Sequence, residues 1–205
     1  MHKRLHQISV AMAALALSLL TGCASVRLID SDVVSVAAVP PGVSLQGAKY
    51  RFERLPSQIN NPDAGLAEQQ AQAAMTAVGL VRYDAGASLS VMVGFSGTQF
   101  LADPWGRPVA PGWTPYGNIA IGSGLGSHIG LGMGMRFPPP THYSREVSLI
   151  MRDLKSGQVV YETRASHDSP WNDSKTIFAT LFKAALANFP NPPAGPQRVN
   201  IEIPR

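Results

Sequence analysis

The sequence predicts an α+β domain: a mostly antiparallel sheet of four or five strands with two helices on one face, plus a Gly/Pro-rich insertion. Three observations lead there. Leu89, Val91, Val93 and Phe95 alternate with Ser88, Ser90, Met92 and Gly94, and Val147, Leu149 and Met151 alternate likewise, which is the period of a half-buried strand. Val159–Ala165 follows a Lys155-Ser156-Gly157-Gln158 turn and reads as the returning arm of a β-hairpin. Two further segments repeat apolar residues at helical spacing and begin with capping residues.

The N terminus has a different grammar. His2-Lys3-Arg4 is a positive start, and Ile8–Leu20 is an uncharged apolar run. That run is shorter than the ~20 residues a spanning helix needs. It ends in Leu19-Leu20-Thr21-Gly22-Cys23, which holds the sole cysteine. The stretch resembles a bacterial lipobox, with Leu20, Thr21 and Gly22 recognised by the signal peptidase and Cys23 lipidated. The resemblance implies diacylglycerol on the Cys23 sulfur and an acyl chain on its new amino group, and two or more chains hold a protein stably on a bilayer. Ala24 in place of an aspartate favours the outer membrane over retention at the inner one. Residues 1–22 are then a signal peptide, 23–32 a lipidated tether, 33–190 the folded domain and 191–205 a Pro-rich tail. One cysteine excludes an intramolecular disulfide and any multi-cysteine metal site.

Val33–Val39 reads as a strand closed by Pro40-Pro41-Gly42. Tyr50–Leu55 is a second, with Tyr50, Phe52 and Arg54 on one side and Pro56 ending it. Asn61-Pro62-Asp63 opens a helix whose stripe is Ala67, Ala71, Ala74, Met75 and Val78, with Gly79 as its C′ residue. An alanine stripe lets that helix lie close to a sheet. Asp173 or Ser174 caps the last helix; Ile177, Phe178, Leu181, Ala184, Ala185 and Phe189 are its stripe, and Pro190 stops it. The tail carries Pro192, Pro193, Pro196 and Pro204 and suits a strap or a disordered end. Strand order is not legible, and either helix can serve as a crossover.

The insertion, residues 96–143, is rich in Gly, Pro, Trp and Tyr. Gly122, Gly126, Gly130 and Gly134 repeat at the spacing of close-packed membrane helices, and with Gly124 and Gly132 they also fit period two. Six glycines at up to ~1 kcal/mol each weigh against a helix and favour extended or irregular chain. Gly122–Ser127 lacks the last glycine of a dinucleotide loop, and no Gly-Lys-Ser/Thr follows. Phe100, Trp105, Trp113 and Tyr116 offer a surface for peptide or glycan, or else pack the insertion onto the domain.

Chemistry-bearing residues are sparse. Gly94-Phe95-Ser96-Gly97-Thr98 falls short of a nucleophile elbow at its fifth position. His128, His142 and His167 lack a metal-ligand spacing, and Glu146 and Asp153 read as solvated edge charges. No triad, metal motif or cofactor fingerprint is present, so no enzyme, no cofactor and no metal are expected. The net charge of +4 falls near +2 when Lys3 and Arg4 leave with residues 1–22, which gives no basic face for nucleic acid.

The order of elements resembles the DUF4136 family of bacterial envelope lipoproteins. The resemblance rests on Tyr50-Arg51-Phe52 with Leu55-Pro56, Val78-Gly79-Leu80, the Leu89–Phe95 strand, Ser156–Tyr161 and Ala187-Asn188-Phe189-Pro190. It spans roughly Val33 to Pro190 through diffuse patterns. It implies a small α+β domain on the periplasmic side of an outer membrane and supplies no catalytic residue to carry over.

The expectation is therefore a lipid-anchored envelope protein that binds or scaffolds. Its partners are the bilayer, through acylated Cys23, and an envelope protein or peptidoglycan. The alternative is a small-ligand carrier or hydrolase with its site between sheet and insertion. That alternative requires polar residues such as His128, His142, Asp153 and His167 to converge on one pocket.

Overall fold

The computed structural model describes residues 26–103, 105–109, 116–118, 134–136 and 139–204, with 116–118 and 134–136 as backbone. Leu20, Thr21, Gly22 and Cys23, most of the glycine repeat, Trp113 and His128 lie outside the described residues. The chain divides into a main unit, Ile29–Ile201, and a small one formed by the residues up to Leu28 and from Glu202 on. In the small unit Ile203 is buried, while Val26 and Leu28 are exposed.

The elements in order are β1 (Val26–Ala37), β2 (Lys49–Glu53), α1 (Pro56–Ile59), α2 (Ala64–Ala77), β3 (Val81–Arg82), a 3-10 turn (Asp84–Gly86) and β4 (Leu89–Leu101). Then come β5 (Tyr116–Asn118), β6 (Gly134–Arg136), β7 (Thr141–Asp153), β8 (Val159–Ser169), α3 (Ser174–Ala185) and β9 (Gln197–Pro204). Seven strands form one sheet in the order β3-β2-β4-β7-β8-β1-β9, and β5 pairs with β6 separately.

This corrects the predicted fold. The sheet has seven strands rather than four or five, it is mixed, and three helices rather than two stand among the described residues. Each difference has a local cause. β2 runs parallel to both β3 and β4, because α1 and α2 carry the chain back between them as a crossover. β3 is two residues long and α1 four, too short to show a period. β9 lies within the Pro-rich tail, beyond Pro192, Pro193 and Pro196, which mask the alternation of Val199, Ile201 and Ile203. The first strand also starts at Val26, earlier than the apolar run at Val33.

The two longer helices share one face of the sheet and touch each other. Leu89, Val91, Val147, Leu149, Met151, Tyr161 and Ala165 point at them and are buried. Each fully buried aliphatic side chain of this kind stabilises the fold by roughly 1.5–3 kcal/mol. Ala67, Ala71, Ala74 and Met75 form the buried stripe of α2. Its end is a Schellman turn: Leu80 N–H donates to Met75 O and Gly79 N–H to Thr76 O, with Gly79 at φ +89°. Asp173 caps α3 by accepting the Thr176 N–H at 3.3 Å. Thr163 Oγ1 donates to Ala185 O at 2.8 Å and pins the far end of α3 to β8. Arg54 grips Glu68 of α2 with two hydrogen bonds, the second at 2.8 Å. On the opposite face Val34 and Val36 are exposed, and Arg164 pairs with Glu146 at 3.6 Å.

Candidate functional site

Two features meet at the start of α3. The first is a buried arginine. Alternation along β7 puts Arg145 on the same face as Val147, Leu149 and Met151, under the helices, where it is 1% exposed. Its Nε donates to Ser174 Oγ at 3.0 Å and its Nη2 to Trp171 O at 2.7 Å, so the guanidinium holds the segment that leads into α3. Tyr143 lies under it, with the guanidinium 5.0 Å from the ring centre. Burial pulls the Arg145 guanidinium below the ordinary arginine range, and nearby Tyr143 and Asp173 work against that.

His167 stands opposite Arg145 across the β7–β8 ladder and is also buried. Its Nδ1 bonds the Asp30 carbonyl at 2.7 Å, and its ring stacks on Trp171 at 6.3 Å between centres. Arg145 Nη1, His167 Nε2, Ser31 Oγ and Ser169 Oγ are buried without a protein hydrogen-bond partner. Such groups on one stretch of the inner face suit enclosed water molecules.

The second feature is a cleft of about 290 Å³ between α2 and α3. Leu66, Ala67, Phe95 and Phe178 give it apolar walls, and Asp63, Gln70, Ser174 and Lys175 give it a polar rim. The alanine at position 67 leaves the room. Phe95 and Phe178 meet edge to face at 6.2 Å. Gln70 Nε2 donates to Lys175 O at 2.9 Å and joins the two helices across the rim. An apolar side chain or a small apolar ligand fits such a space.

The flagged residues that the structure describes, His142, Asp153 and His167, do not gather. His142 and Asp153 lie eleven positions apart on β7, about 36 Å along the strand, and point to opposite faces. His142 packs against Phe100 on the outer side, with ring centres 5.9 Å apart. Asp153 is not a solvated edge charge. It is 7% exposed and accepts Ser156 N–H and Ser156 Oγ, each at 2.7 Å, which shapes the β7–β8 turn and holds its carboxyl below the usual aspartate range. Of the aromatic residues in the insertion, Phe100 is half-buried and Trp105 is 78% exposed. Among the described residues no group of three or more His, Cys, Asp or Glu is placed to hold a metal ion. None of the described helices is long and apolar enough to cross a membrane.

Sequence reasoning missed Arg145 and Trp171, and it read Ser174 only as a candidate cap of the last helix. The signal was there, since Arg145 continues the Val147-Leu149-Met151 alternation by one step. A charge at the end of an apolar series reads as its boundary, and here it is the series' buried end.

No curated protein matches the chain. Among solved structures, a PDZ domain protein from Parabacteroides distasonis is similar, with a TM-score of 0.52 and 13% identity over 96% of this chain. The chain spans 42% of that protein's length, and the likeness speaks for the fold alone. The PelC dodecamer from Paraburkholderia phytofirmans has a TM-score of 0.44 at 10% identity, over 78% of this chain and 99% of that one. The family model for DUF4136, a domain of unknown function, matches residues 43–191, and the chain therefore belongs to the DUF4136 family.

Proposed function

We propose that this DUF4136 protein is a lipid-anchored binding or scaffolding protein of the bacterial envelope, held by acylated Cys23 at the periplasmic face of the outer membrane. The observation that carries the reading is Leu20-Thr21-Gly22-Cys23 at the end of an apolar run too short to span a bilayer. The open cleft between α2 and α3 supports a binding role, since its walls are apolar and its rim polar. An envelope protein or peptidoglycan peptide offers side chains of suitable size. Cys23→Ala blocks processing and membrane attachment on this reading. The check is mass spectrometry of the mature N terminus together with membrane fractionation. An unmodified cysteine, or a mature chain that starts elsewhere, overturns the anchor. A photo-crosslinking residue at Phe178 that captures no envelope component above background overturns the binding role of the cleft.

A further inference from the structure

The turn after β4 is built around one carboxylate. Asp103, 6% exposed, accepts the N–H groups of Trp105 and Arg107 at 2.9 Å each and the Arg107 Nε at 2.8 Å. Asp103 N–H in turn donates to Arg107 O, and Ala102 bridges Pro108. Gly106, at φ +82°, completes the reversal. The result is a fixed loop that presents its largest side chain to solvent. Among the described residues Trp105 is the most exposed of the large apolar ones, and the Arg107 guanidinium lies 5.6 Å from its ring centre. Leu101 beside it is also exposed.

Register shows which end of the sheet carries this loop. Asp32 of β1 faces Ser166, Ser166 faces Glu146, and Glu146 faces Ser96. From that row β4 continues toward Leu101. β1, followed back toward Ile29, runs in the same direction, because the three intervening pairings are all antiparallel. The chain therefore enters the main unit at the end from which the Trp105 turn projects. Cys23 is six residues from Ile29 and so within about 20 Å of it.

We propose that the Trp105–Arg107 turn is a second membrane contact: Trp105 seats in the headgroup interface of the bilayer that holds Cys23, with the free edge of the Arg107 guanidinium on lipid phosphate. The inference rests on the acylation of Cys23 proposed above. An indole has the chemistry for that boundary, with an apolar body and one N–H for a polar neighbour. Arg107 keeps its Nη groups for phosphate while Asp103 occupies its Nε. A lipid anchor alone leaves the domain free to tumble, and a rigid interfacial tryptophan on the same end sets its orientation.

The test uses the full-length processed protein in vesicles of phosphatidylethanolamine and phosphatidylglycerol with brominated acyl chains. Wild type and Trp105→Phe are compared, so the fluorescence of the remaining tryptophans cancels. The expected result is bromine quenching of the wild-type emission that the variant lacks, the difference between the two being the Trp105 signal. Equal quenching in both overturns the proposal. So does a photo-reactive residue at position 105 that crosslinks to protein rather than lipid in native envelopes. Mass spectrometry of the same preparation separates the two readings. Quenched Trp105 on a chain with unmodified Cys23 sinks the anchor alone, and unquenched Trp105 on a lipidated chain sinks the second contact alone.

Discussion

Arg145 and His167 face each other across the β7–β8 ladder, both buried beneath the entry to α3, and the arginine reaches forward to the Trp171 carbonyl and the Ser174 hydroxyl. A cation is thus placed where an aliphatic residue would continue the strand pattern. Its hydrogen bonds fix the segment that carries Ser174, and Ser174 itself stands on the rim of the α2–α3 cleft.

Arg145→Ala is expected to destabilise the domain by about 2–4 kcal/mol, since it leaves a cavity and removes the hydrogen bonds to Ser174 and Trp171. Arg145→Met fills most of the volume without burying a charge and is expected to cost less. Chemical denaturation of the two variants beside the wild type reads the difference. Equal stability of Arg145→Ala and wild type would remove the arginine from the framework of the site.

Burial pushes the Tyr50 hydroxyl up to about 12, with Arg82 nearby lowering it and Asp84 raising it. A raised folded-state value means that the neutral form stabilises the fold. That stability is fully present below the ordinary value of 10.0 and is lost as pH rises through about 12. Tyr50→Phe is expected to retain the stability that the wild type loses over this range. At pH 7 it should match the wild type within about 0.5 kcal/mol, because the buried Tyr50 hydroxyl has no hydrogen-bond partner to lose. Denaturation midpoints of both proteins from pH 8 to 12 check it.

Gly79 closes α2 in the left-handed region, and an added Cβ would stand 3.1 Å from Gln46 Nε2. Gln46 can move aside, so backbone strain dominates. Gly79→Ala is expected to cost about 1–2 kcal/mol, and Gly79→Asn less, since asparagine tolerates that conformation better. Thermal unfolding of the pair measures the order.

Much of this fold is written locally. The helical stripe of α2 and the Gly79 that ends it, the Asp173 cap of α3, and the alternation through Leu89 and Val147 can all be read in the sequence. Pairing partners cannot, because a strand's pattern states which face is buried and not which edge is met. The parallel course of β2 beside β4 depends on a crossover path, and β9 on the alternation of Val199 and Ile201 behind a cluster of prolines. The cleft is less legible still. Phe178 is plain as a helix-stripe residue and Phe95 as a strand residue. Their meeting at a gap left by Ala67 is a property of three elements at once.

β1 lies between β8 and β9. Ser35 bonds Thr163 across 128 positions of chain, and Asp32 meets Arg198 across 166. The earliest strand of the domain therefore finds both partners only when the last third of the polypeptide has arrived. Contacts of such long sequence separation slow folding, and until they form β1 carries two open edges. On the envelope location proposed above, a chain threaded across from its N terminus would keep this strand unpaired throughout the crossing, a period of vulnerability to aggregation that ends only as its C-terminal residues emerge.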